Sequence, residues 1–580
     1  MTTDASDTKP PKKKTKWYWN ALRYVLLLWL LGGLNTLLLQ DIPLLLFLLG
    51  VGFALVYPQE FLPPKEKPPL VSWRCLFASL IAVAWTWFVL TVAFALLLFV
   101  IPPFGISPQT TYLTEPRATK FYGIDYQSVI ERELDPGVLP EENGFRLLAE
   151  TFGRSFFGCT DEHWQRMCEY LDLPTDIEQV LTFTAWWKYE KTLEPEEQEI
   201  AKSFWSYQTQ IDQPLPEEAI PLVRQWLDEN DAALDMFITA AQKPVLYVPP
   251  MFDAILIATL IHNEDMSREM VRSLQIRVRY RLTVGEIDKA WDDVLTMYRI
   301  GELHRRGVWN TISSLVNTSM TRMANQATEL VLLHSDWIAE EIRRKAEEIA
   351  PFLQPWREDE VRLILRNDRF IALDSLMHMA HGTFGFNDHC CGPSAPDAME
   401  RFQTQAVYRF IRMGMVMKIV NQRFDEFGRW YFSDELELSR EDYDIHVFFK
   451  NFVWYGFSGV MPHSIGPMVV DLLIPALEAW RTANKRQEAD VLLLRLIFAL
   501  EAYHRDNDGK YPEALDDLLG RTIDEMPLDP FSGEAFRYVL EEPGFLLYSV
   551  GPNGIDEDGR GYNDVPNGDD IRRRLPIGVP

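Results

Sequence analysis

Five residues suited to hold a transition metal crowd into fourteen positions of HMAHGTFGFNDHCC: His378, His381, His389, Cys390 and Cys391, in a chain with only ten histidines and five cysteines. Imidazole and thiolate are good ligands for zinc and its neighbours. The spacing argues against such a site, because neither HExxH nor paired CxxC occurs. The preferred reading is a Gly-rich loop with capping histidines and a strained vicinal disulfide. A metal site or a thiol–histidine nucleophile is the alternative. The acid-rich stretch WREDEVRLILRNDRF (356–370) has charges at helical spacing. Such charges usually form solvated i,i+4 pairs rather than an active site. No GxSxG, Walker-type loop or Rossmann fingerprint occurs. The expectation is therefore a protein without enzymatic activity.

Harder chemistry is available near the C-terminus, where GPNGIDEDGRGYNDVPNGDDI (551–571) is rich in Asp, Asn and Gly. Calcium takes six to eight oxygen ligands, and a flexible loop of this composition can supply them. The overall charge fits a cationic ligand better than an anionic one. Residues 1–102 carry nine Lys/Arg against five Asp/Glu, while the remaining 478 residues carry 48 against 79, a net of −31. So acidic a body repels phosphate backbones, which excludes nucleic acid as a partner.

The elements that position these groups begin with a basic head, residues 1–23, that includes Lys9, Lys12, Lys13, Lys14 and Lys16. Three apolar runs follow, read as transmembrane helices at 24–39, 42–57 and 76–101. The short 40–41 connection has no Lys or Arg, whereas the 58–75 loop holds Lys65, Lys67 and Arg74. The positive-inside rule then places the N-terminus in the cytoplasm and everything after residue 102 on the periplasmic side of the inner membrane. With Cys75 at the membrane edge, Cys159, Cys168, Cys390 and Cys391 remain. An oxidising compartment permits disulfides among them, for example Cys159 to Cys168.

After a polar linker (103–130), residues 131–460 show apolar positions at three and four spacing, which predicts a large α-helical exported domain. MSREMVRSLQIRVRYRLTVGEIDKAWDDVLTMYRIGELHRRG reads as two helices broken at Val284-Gly285. It looks like a single tetratricopeptide-type hairpin, with Tyr280, Ala290-Trp291 and Tyr298 in place, and no clean 34-residue repeat accompanies it. Helical-hairpin layers of this kind often leave a concave surface for a protein partner.

Residues 465–580 predict a small α+β module. A long helix runs from about Ile465 through ALEAYHRDN, with Pro475 near its start, and YPEALDDLL opens a second, short helix. DPFSG is a turn, and AFRYVL and GFLLYSV form an antiparallel hairpin around EEPG. ALEAYHRDNDGKYPEALDDL, DPFSGEAFRY and LLYSVGPNG…DDI, about 85 residues in all, resemble the soluble domain of type II secretion major pseudopilins of the G type. The whole-chain plan also resembles planctomycete-type membrane proteins of no established activity.

The pseudopilin resemblance implies a calcium-binding loop. It puts Asn553, Asp569 and Asp570 at the ligand positions, with Asp556, Asp558 and Asp564 of the inserted IDEDGRGYND as further donors. About 460 residues precede the motif, whereas a pseudopilin begins with its prepilin peptidase site. The expected function is thus a membrane-anchored, exported interaction or scaffold protein with a calcium-binding tail. Membership of a type II secretion or pilus-like system, or an envelope metal-dependent hydrolase, are the alternatives.

Overall fold

The computed structural model describes residues 102–575 apart from 103, 120, 205–213, 253–254, 260–261, 382–412, 434–456 and 542–543. The basic head and the three expected membrane spans lie outside the described residues, within which no helix is long and apolar enough to cross a membrane. The chain divides between Pro102 and Pro103.

The second unit is mainly helical. Its helices among the described residues are α1 (Tyr126–Leu134), α2 (Gly144–Phe157), α3 (Asp161–Leu171), α4 (Trp186–Glu190), α5 (Pro195–Phe204), α6 (Ile220–Ala241) and α7 (His262–Thr283). They continue with α8 (Ile287–Arg305), α9 (Thr311–His334), α10 (Ala339–Ile349), α11 (Glu358–Ala380), α12 (Met413–Tyr431) and α13 (Phe457–Asp506). Side-chain caps set several starts by satisfying otherwise orphaned backbone donors. Asp125 accepts from the Ser128 N–H at the head of α1, and Asn310 accepts from the Ser313 N–H at the head of α9 at 2.8 Å. Gly285, with φ at +79°, makes the turn between α7 and α8, a conformation in which a Cβ would be strained. The helix–turn–helix read from the sequence is therefore present.

Among the described residues two apolar cores result. One gathers α2 to α10 around Trp226, Phe237, Trp291 and Val331. The other packs α1, α11 and α12 around Tyr126, Phe370, Leu376 and Val416, and residues 104–126, expected as a linker, contribute Phe104, Ile124 and Tyr126 to it. Helix α13 serves both: Leu477 and Trp480 enter the second core, and residues from Val491 to Ala502 enter the first.

The C-terminal sheet has three antiparallel strands, β1 (Arg537–Leu540), β2 (Phe545–Ser549) and β3 (Ile571–Leu575), in the order β1-β2-β3. All five residues of β2 are buried. Its partners are Leu540 opposite Phe545 on one side and Ile571 opposite Ser549 on the other. Leu515, Leu518, Phe536, Phe545, Leu547 and Leu575 join the same core as α2 to α10, so the sheet shares its apolar interior with the helices.

Three expectations are corrected here. The stretch after Pro512 makes only a 3-10 turn, Leu515–Leu518, because two buried leucines suffice to seat it. The hairpin gains a third strand from IRRRL, where neighbouring carboxylates compensate three consecutive arginines. The long helix starts at Phe457 rather than near Ile465.

Candidate cation site

The acidic loop is braced where it leaves β2. Asp529 of the DPFSG turn is 1% exposed and fully used. Its Oδ1 accepts from Ser549 Oγ (2.8 Å) and the Phe531 N–H (3.0 Å), and its Oδ2 accepts from the Val550 N–H (3.1 Å). Gly551 follows with φ at +67°, and a Cβ there would stand 2.2 Å from the Asp569 carbonyl oxygen. The first and last turns of the loop are therefore pressed together, which only glycine permits.

That closure brings three carboxylates together. One side-chain oxygen from each of Glu557, Asp569 and Asp570 can be chosen so that all lie within 4.8 Å of one another. Asn553 positions the cluster, its backbone N–H donating to Asp569 Oδ2 (3.1 Å) and its Nδ2 to Glu557 Oε1 (2.8 Å). Glu557 Oε2 accepts from the Asp569 N–H at 2.9 Å. Asp570 Oδ2 accepts from the N–H groups of Gly559 (2.8 Å) and Glu557 (3.2 Å). Asp570 is only 5% exposed, yet its Oδ1 is buried without a hydrogen-bond partner, and Asp569 Oδ1 is in the same position. Leaving a buried acceptor unmet costs about 1–3 kcal/mol, and more when it is charged.

Burial pushes the Asp570 carboxyl up to about 6, with repulsion from Glu557 and Asp556 adding to it against two backbone hydrogen bonds. Asp569 is raised as well, again chiefly by burial. An all-oxygen donor set with unmet buried negative charge fits a hard divalent cation. Two oxygens each bound at about 2.4 Å to one calcium ion lie at most about 4.8 Å apart.

Of the six residues singled out in the sequence, Asp569 and Asp570 enter this cluster and Asn553 orients it. Asp556 instead accepts from Tyr548 Oη (2.9 Å) and pairs with Arg537 at 3.1 Å. Asp564 pairs with Arg572 and accepts from the Gly561 N–H at 2.7 Å, and these partners hold its carboxyl below the usual range. Asp558 takes a positive φ of 59° and donates its N–H to Asp556. Glu557 escaped the sequence reading, since within IDEDG nothing distinguishes it from its acidic neighbours.

The histidine-rich stretch is divided. His378 is buried on α11, with its ring 4.8 Å from that of Phe121 and its Nε2 3.8 Å from Asp374 Oδ1. Burial, helped by His381, pushes it down to about 4. His381 lies 2.9 Å from the Tyr122 carbonyl, and His389, Cys390 and Cys391 lie outside the described residues. Cys159 and Cys168 are both buried free thiols, not a disulfide. In the acid-rich stretch, Glu358 and Arg362 form an exposed i,i+4 pair, as the spacing suggested. The chain matches no protein-family model, no curated protein and no solved structure.

Proposed function

We propose that this chain is a membrane-anchored, exported interaction protein whose pseudopilin-like C-terminal module is held in shape by calcium. The observation that supports the calcium reading is the pair of buried, partnerless carboxylate oxygens of Asp569 and Asp570 beside Glu557. A cation held among these three side chains cancels the repulsion among three acids. Backbone carbonyls and water complete the coordination, as is usual for calcium. The anchoring reading rests on the apolar runs and the Lys/Arg asymmetry of residues 1–102. The interaction reading rests on the helical hairpins that precede the sheet and on the absence of a catalytic motif in the sequence.

Two experiments test the proposal. The full chain in detergent is melted with calcium and with a chelator. A ligand that binds only the folded state at a hundred times its Kd adds about 2.7 kcal/mol, so calcium at millimolar concentration raises the melting temperature by several degrees. An unchanged melting temperature defeats the calcium reading. For the anchor, a C-terminal reporter active only in the cytoplasm stays dark, and a bright one overturns the periplasmic assignment.

A further inference from the structure

The residue after Asp570 is the first of β3, and alternation along that strand aims Ile571, Arg573 and Leu575 at one face. Ile571 and Leu575 belong to the apolar core shared with the helices, so Arg573 points the same way. There it forks between two helices. Its Nε donates to Glu329 Oε1 of α9 at 2.7 Å and its Nη2 to Asp490 Oδ1 of α13 at 3.0 Å. Its Nη1 donates to the Arg572 carbonyl at 3.0 Å. The side chains of all three ionic partners are one-fifth exposed or less. Arg572 and Arg574 face away and pair with Asp564 and Glu541.

Resting on the calcium reading above, we infer that the loop is a cation-operated clasp: occupancy by a divalent cation at Glu557, Asp569 and Asp570 fixes the start of β3 and thereby seats Arg573 between α9 and α13. Without the cation, repulsion among the three carboxylates loosens residues 569–570. Strand register is then less well specified, and a slip of one residue would carry Arg573 to the opposite face. Glu329 and Asp490 would be left facing each other in a poorly solvated seam, an arrangement that is strongly unfavourable once the shared cation is gone. The loop thus reports cation availability to the helical body through one arginine.

Hydrogen–deuterium exchange on the full chain in detergent, with calcium or with a chelator, reads the coupling directly. The expected result is that calcium slows exchange in 551–570 and also, about tenfold, in the segments of α9 around Glu329 and of α13 around Asp490, in line with ordinary site-to-site coupling. Arg573→Lys keeps the charge but cannot bridge both carboxylates. It should retain slowing in the loop and lose most of it in the helices, and Glu329→Gln provides an independent variant should the first fold poorly. Calcium protection confined to 551–575 in the unmodified chain overturns the clasp while leaving the cation site intact. A loop that does not respond to calcium overturns both, so the two failures are told apart by which peptides change.

Discussion

The Asp293 cluster of the helical body and the acidic loop each gather carboxylates, but they meet them differently. In the body, Asp293 is fully buried and is met by Arg277 through Nε (3.1 Å) and Nη2 (2.8 Å) and by Arg281 at 2.7 Å. Arg277 also reaches Asp231 and Asp235, so the charges of this cluster are matched from within the chain. In the loop, the arginines close in sequence are all engaged elsewhere. Arg537 serves Glu534 and Asp556, Arg572 serves Asp564, Arg573 serves Glu329 and Asp490, and Arg574 serves Glu541. Arg560 spends its Nε on the Glu557 carbonyl. The hydrogen bonds to Glu557, Asp569 and Asp570 come from N–H groups, and the charge of Arg486 acts on Asp569. The Asp293 cluster is neutralised by the chain's own arginines, whereas the proposal gives that role in the loop to a cation from outside.

The largest expected effect separates these cases by their dependence on calcium. Asp293→Ala leaves Arg277 buried and short of its main partner, which costs about 3–5 kcal/mol whether or not calcium is present. Asp570→Ala should instead remove the calcium-dependent gain in stability, its cost in chelator being confined to the hydrogen bonds lost by the Gly559 and Glu557 N–H groups. Urea denaturation of both variants under both conditions checks this, and a calcium-dependent penalty for Asp293→Ala would blur the distinction.

Gly551→Ala comes next. It forces a positive φ of 67° on a residue with a Cβ and drives that Cβ against the Asp569 carbonyl. The expected cost is about 1–3 kcal/mol, accompanied by weaker calcium binding, measured by titration against melting temperature.

A smaller effect follows from pH. The Asp570 carboxyl is raised to about 6, above the value of about 3.9 for an unfolded aspartate. Without calcium, its ionised form therefore opposes folding fully above pH 6, and that penalty fades as the pH falls toward 4. With calcium the sign reverses, since protons displace the cation. The stabilisation conferred by calcium should shrink below pH 6, which melting at pH 5 and pH 7.5 with and without calcium will measure.

The smallest effect concerns Asp556→Asn and Asp564→Asn. Both residues pair with arginines at partly exposed positions, where such pairs contribute at most about 1 kcal/mol. The calcium-induced shift in melting temperature should persist in both variants.

Much of this architecture was legible in the sequence, because it rests on local rules. Apolar spacing marked the helices, Gly285 marked the α7–α8 turn, and the DPFSG turn with Gly533 at φ +71° and the two runs of β-formers marked β1 and β2. What escaped depends on partners distant in the chain. β3 contains three successive arginines, a poor strand signal in isolation, and it stands because Asp564, Glu329, Asp490 and Glu541 receive them. Glu557 could not be told from Asp556 or Asp558 by composition. Only the packing of Gly551 and Gly568 against the opposite side of the loop selects it. The sequence did mark Asp569 and Asp570, but their unmet oxygens are a tertiary property.

Calorimetric titration of calcium into the full chain, alongside Asp570→Asn, tests the central claim most directly. About one saturable calcium per chain is expected, with its loss in the variant. Equal binding by both proteins, or none by the unmodified chain at millimolar calcium, would contradict it.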